Sequence, residues 1–165
     1  MSDLKVTTPS DRELAMTRVF DAPRTAVFDA WTKPDLLKRW LGAMDGWSMP
    51  VCEIDPRVGG AYRLVWRNAE GREMGMGGVY REVERPERLV ATERFDQPWY
   101  PGEALVSTVL VEDRGKTTAT TTVRYESREA RDRVLKTPMT KGVAESYDKL
   151  AALLASTPAH DGARR

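Results

Sequence analysis

The sequence has a single histidine, a single cysteine and no apolar run approaching the roughly 20 residues that span a bilayer. Each scarcity excludes something. His160 lies in Thr157–Arg165, a stretch of small and polar residues expected to fray as a flexible tail (157–165). Ser–His–Asp and Cys–His mechanisms, and histidine-rich zinc sites, therefore lack their central residue. Cys52 has no intramolecular partner for a disulfide. Its neighbours Pro50, Val51 and Ile54 place it on a partly buried strand, as a small hydrophobe rather than an activated thiol. A surplus of one charge sign is also missing: 26 basic residues face 25 acidic ones. Without a clustered basic stripe to neutralise phosphates, a nucleic-acid partner is not expected. Met1–Ser10 carries no apolar segment of a secretory signal, so it reads as a flexible lead-in (residues 1–10) to a cytoplasmic protein with no membrane partner.

What remains is ordinary for a folded domain. At 165 residues, 41% hydrophobic and 31% charged, the chain suits one domain over residues 11–156. Such a length buries about 70% of the unfolded surface, enough to fold without metal or disulfide staples. Glu13–Asp21 alternates, with Leu14, Met16 and Phe20 on one side, and so predicts a strand. Pro23 and Pro34 then open two short helices carrying Val27, Phe28 and Trp31, and Leu36, Leu37, Trp40 and Leu41. Six strands separated by short turns follow between Trp47 and Tyr125, which favours an antiparallel sheet. The period then changes. Ser127 caps a short helix, and Thr137-Pro138 restarts it. Met139, Val143, Tyr147, Leu150 and Leu154 recur every three or four residues along a long final helix.

Certain segments go beyond element order. Arg18–Pro23 followed by Val27–Leu37 and Trp40, then Asp55–Arg63, then Gly77–Tyr80 followed by Pro86–Val90, appear in order as three signatures. Together they resemble, from about Glu13 to Ala155, the START-like or SRPBCC superfamily. The subfamily is the one related to the C-terminal domain of the heat-shock protein 90 ATPase activator. The resemblance implies an α+β helix-grip fold in the order β-α-α-β6-α, a curved antiparallel sheet wrapped around a long C-terminal helix. It also implies a cavity between sheet and helix. Two residues depart from the family pattern. Lys33 stands where a capping Asp is common, and Val143 stands where many members carry tryptophan, which implies either a larger pocket or a compensating larger residue on the sheet.

For that cavity the expected ligand-binding residues are Trp40, Trp66, Met74, Met76, Tyr80, Phe95, Trp99, Met139, Val143 and Tyr147. The bland reading, that each simply fills core, holds for any one of them taken singly. Trp47 and Tyr100 are lesser candidates. Glu93 shares strand parity with Leu89, Ala91 and Phe95; pointing inward, such a residue more often pairs with an arginine in a structural role, and unpaired it is the weak catalytic candidate. Arg63, opposite the Tyr62–Trp66 face, is expected in solvent. The glycines at 75, 77 and 78 mark a bulge or close approach, not a nucleotide loop. The leading expectation is a binder of a small hydrophobic or aromatic molecule, without metal or cofactor and with homodimerisation left open. The alternatives are a cavity enzyme of cyclase or hydrolase type and, ranked lowest, a co-chaperone of a heat-shock ATPase.

Overall fold

In the computed structural model, residues 4–98, 100 and 102–156 are described. The tail with His160 lies outside them. The chain runs β1 (Lys5–Thr7), β2 (Glu13–Phe20), α1 (Arg24–Thr32), α2 (Pro34–Trp40), β3 (Trp47–Ile54), β4 (Ala61–Asn68), β5 (Glu73–Glu84), β6 (Arg88–Phe95), β7 (Ala104–Asp113), β8 (Lys116–Arg124), α3 (Arg128–Leu135) and α4 (Met139–Ser156). The strands form one antiparallel sheet in the order β1-β2-β8-β7-β6-β5-β4-β3. The α+β helix-grip arrangement is the one expected. No helix among the described residues is long and apolar enough to cross a membrane.

One local feature departs from the sequence reading and a second adds to it. The lead-in is not wholly irregular: Lys5, Val6 and Thr7 pair with Thr17, Met16 and Ala15. All three are exposed, so backbone pairing holds them and no apolar alternation announces them. The second is Arg18, which lies on the buried side of β2 with Leu14, Met16 and Phe20. Its Nη1 donates to Asp148 Oδ1 at 2.6 Å, and its guanidinium sits 5.4 Å from the centre of the Phe20 ring. The strand is thereby tied to α4.

Helix starts follow local chemistry. Pro23 is extended and directly precedes α1, one position earlier than expected, while Pro34 occupies the first turn of α2. Lys33 before α2 caps nothing with its side chain and instead approaches Asp29 at 3.5 Å. At α3 the Ser127 hydroxyl accepts from Ala130 N–H at 3.0 Å, a cap of the kind worth about 1 kcal/mol.

The core fills the concave side of the sheet. Trp31, Trp40 and Tyr147 meet edge to face or tilted, with ring centres 4.9 to 6.0 Å apart, joining the α1–α2 elbow to α4. Both buried indoles have acceptors: Trp40 Nε1 donates to Ala30 O at 2.9 Å and Trp66 Nε1 to Leu41 O at 3.1 Å. A second cluster collects Leu14, Met16, Tyr100, Val123, Tyr125 and Val134 under α3.

Strand β5 explains its glycines. A Cβ at Gly78 would overlap the Thr92 carbonyl, and one at Gly77 would come within 2.6 Å of Tyr62 O. These are close approaches of neighbouring strands, as the sequence pattern suggested. At the far edge, exposed Pro50 interrupts β3, whose register against β4 shifts between Ser48 and Val51.

Candidate functional site

The irregularity in β5 shapes what lies beneath it. The β5–β6 ladder pairs Gly77 with Arg94 and, after a gap in the pairing, Tyr80 with Ala91 in the same register, which then shifts between Tyr80 and Glu82. Across the gap, Val79 N–H donates to the Thr92 hydroxyl at 2.9 Å, and Tyr62 Oη donates to the Thr92 carbonyl at 2.8 Å. Side-chain partners thus supplement the ladder where the two strands approach closely. Glu93 is the next residue along β6.

Between this part of the sheet and the α1–α2 elbow lies a cavity of about 150 Å³. Its helical wall comes from Trp31, Leu37 and Leu41. Its sheet wall comes from Ile54, Tyr62, Leu64, Met76, Tyr80, Leu89, Ala91, Glu93, Val106 and Thr108. An apolar enclosure with a few polar groups is the usual character of a small-molecule site. A larger cleft of about 580 Å³, lined by Met44, Asp45, Trp47, Glu145, Asp148, Lys149 and Ala152, opens on the surface beside α4. It is charged and open to solvent, so it desolvates a ligand poorly. The smaller, more sheltered cavity is the stronger candidate.

The polar groups of the smaller cavity differ in what they have left to offer. Tyr62 is committed to the Thr92 carbonyl. Thr108 lies 3.5 Å from the Thr121 hydroxyl, which in turn is 3.2 Å from Tyr147 Oη. The Tyr62 and Tyr80 rings pack 5.6 Å apart, and burial pushes the Tyr80 phenol up to about 12. Glu93 is different. Its Oε1 accepts from Tyr100 Oη at 3.2 Å, and it forms no ion pair among the described residues. Burial raises its carboxyl to about 7, against the smaller opposing effect of the Tyr100 hydrogen bond. Tyr100 is itself held by edge-to-face contact with Tyr125, ring centres 5.0 Å apart. Burial raises the phenols of Tyr62, Tyr100 and Tyr125 too, with the Glu93 charge adding to each. Around Glu93 the phenols stay neutral, and among the described residues no cation pairs with the carboxylate.

The expected pocket residues are dispersed. Met76 and Tyr80 line the cavity. Trp40, Trp66 and Tyr147 are buried in the main core behind its walls, and Met74 packs half-buried against it. Phe95 bridges the two core clusters, as does Val143, while Met139 packs on the second. Trp99 lies outside the described residues. Trp47 lines the open cleft, and Tyr100 holds Glu93. Arg63 is exposed in a two-point pair with Asp96, its Nη1 2.7 Å from Oδ1.

The cavity's position corrects the sequence reading. Its helical wall is the α1–α2 elbow, not α4 and not the neighbourhood of Val143. The reason is the Trp31–Trp40–Tyr147 ring cluster, which occupies the space between α4 and the elbow. Trp31, Leu37, Leu41, Ile54, Tyr62, Leu64, Leu89, Ala91, Val106 and Thr108 were not expected as lining. Alternation does put Tyr62 with Leu64, and Leu89 with Ala91, on inward faces, so part of the wall was readable as a face. Among the described residues, no three Cys, His, Asp or Glu side chains gather as a metal-binding group.

Known proteins share this architecture. A solved structure from Rhodobacter sphaeroides is 35% identical, with 93% of this chain and 99% of that one covered and a TM-score of 0.88. The AHSA1 protein of Silicibacter pomeroyi is 25% identical over 87% of this chain and 97% of its own, at a TM-score of 0.69. The Mycobacterium smegmatis protein Ms6760, at 23% identity and a TM-score of 0.81 over 93% and 97%, shares the fold. No curated protein matches the chain significantly. The model of the family described as activator of Hsp90 ATPase homolog 1-like protein matches residues 21–155, and the chain belongs to that family.

Proposed function

We propose that the protein binds a small apolar or aromatic molecule, about one ring in size, in the cavity between the sheet and the α1–α2 elbow. The observation that carries this reading is the half-enclosed, mainly apolar space of about 150 Å³. An engineered apolar cavity of about that volume in another protein accepts benzene. Trp31 lines the wall directly and serves as a built-in reporter. Titration with toluene or phenol is expected to change tryptophan emission and raise the melting temperature, since a ligand that binds only the folded state stabilises it. Ala91→Leu projects bulk into the space and is expected to abolish both responses while the protein stays folded by circular dichroism. One-ring compounds that change neither signal, or that act equally on the filled variant, would remove the reading.

A second reading has one observation in its favour. A carboxyl titrating near neutrality inside a cavity is suited to acid–base chemistry. Glu93 would then exchange a proton with a bound molecule, in the manner of a cyclase or hydrolase. Turnover of a bound ester that survives in Glu93→Gln would remove Glu93 from that role.

A further inference from the structure

We propose that the ligand carries a basic nitrogen, and that Glu93 receives it as the cavity's only ionic anchor. The inference rests on the cavity-binding reading and names the chemistry of its occupant. Three observations carry it. Glu93 lines the cavity, and its single hydrogen bond among the described residues leaves Oε2 without a protein donor. No lysine or arginine lines the same space, so an ionised Glu93 sits beside apolar walls with no counter-charge. The neighbouring polar groups Tyr62 and Thr108 are turned to protein partners, at 2.8 and 3.5 Å.

A half-buried carboxylate against apolar walls is costly until a cation reaches it, and an ammonium on an apolar ring supplies that cation. The second free oxygen accepts the N–H in a charge-assisted hydrogen bond, stronger than a neutral one. The same field disfavours anions. A carboxylate or phosphate ligand would meet Glu93 with nothing positive to offset it. The titratable groups facing Glu93 are Tyr62 from β4, Tyr100 from the β6–β7 loop and Tyr125 after β8, with Glu103 nearby acting on Tyr62. The three phenols are raised and stay neutral around pH 7, which leaves Glu93 as the group that sets the response.

The test compares four one-ring probes of similar size by calorimetry and tryptophan emission: benzylamine, benzyl alcohol, toluene and benzoate. Benzylamine is expected to bind at least about tenfold more tightly than benzyl alcohol or toluene, with benzoate weakest. Its affinity should rise between pH 6 and 8 as Glu93 ionises, while that of toluene stays flat. Glu93→Gln keeps an acceptor for Tyr100 and should erase the amine preference and its pH dependence, with toluene binding retained as proof of an intact cavity. Toluene binding as tightly as benzylamine, or an amine preference that survives in Glu93→Gln, would overturn the inference and leave the cavity reading standing. If none of the four binds, the cavity reading fails and the inference falls with it.

Discussion

Glu93 is a side chain that the fold holds at a cost. Its carboxyl is raised to about 7 chiefly by burial, so the folded state prefers the neutral acid. The sign follows directly. Relative to an unshifted carboxyl, the stabilisation is complete below about pH 4.5 and is lost as pH rises through about 7. Glu93→Gln removes this dependence. Urea unfolding should find wild type and variant similar near pH 4, and the variant more stable by about 2–3 kcal/mol at pH 8. A wild-type advantage at pH 8 would contradict the assignment. Strand parity alone was enough to predict that Glu93 points inward. Its solitude was not readable, because an arginine partner would have had to come from another strand or loop. Arg18 illustrates the converse: its place on the buried parity of β2 was in the sequence, but its justification, Asp148 on α4, lies 130 residues away.

At the scale of elements, β5 sets the geometry on which the cavity depends. Gly78 brings this strand so close to β6 that a Cβ would overlap the Thr92 carbonyl. That same carbonyl takes the Tyr62 hydroxyl, and the Thr92 hydroxyl takes Val79 N–H. Gly78→Ala must push the strands apart and break both bonds, an expected loss of about 2–3 kcal/mol in chemical denaturation. Gly71→Ala is a useful comparison, since it lies in the β4–β5 turn with φ +86 and open space around it. Its cost should come from backbone strain alone, with the Trp31 environment unchanged, whereas Gly78→Ala should also shift tryptophan emission. Period-2 and helical patterning made seven of the strands and all of the helices legible, because half-buried elements advertise their buried faces. β1 was not legible because it buries no face. The cavity's helical wall was missed for a different reason: α4 carries the strongest apolar stripe, but tertiary packing spends that stripe on Trp31, Trp40 and the core, leaving the weaker elbow to face the open space.

For the whole molecule, the order of the sheet places β2 beside β8, so the beginning and end of the strand series are neighbours and the curved surface is continuous around the core. Function was the least legible at this scale. A cavity is the space that side chains fail to fill, and it depends on how bulky groups from distant segments divide the interior between them. The two ends of the sheet have a separate consequence. One end is β1, three residues long; the other is β3, broken by Pro50 and a register shift. Neither offers a long uninterrupted row of amide donors to an incoming chain. Pro50→Val should restore such a row along β3, and seeded light-scattering assays are expected to show faster fibrillar growth than wild type; unchanged kinetics would assign the protection elsewhere. A proline that looks like a defect in a strand thus leaves this edge of the sheet poorly suited to strand-by-strand extension.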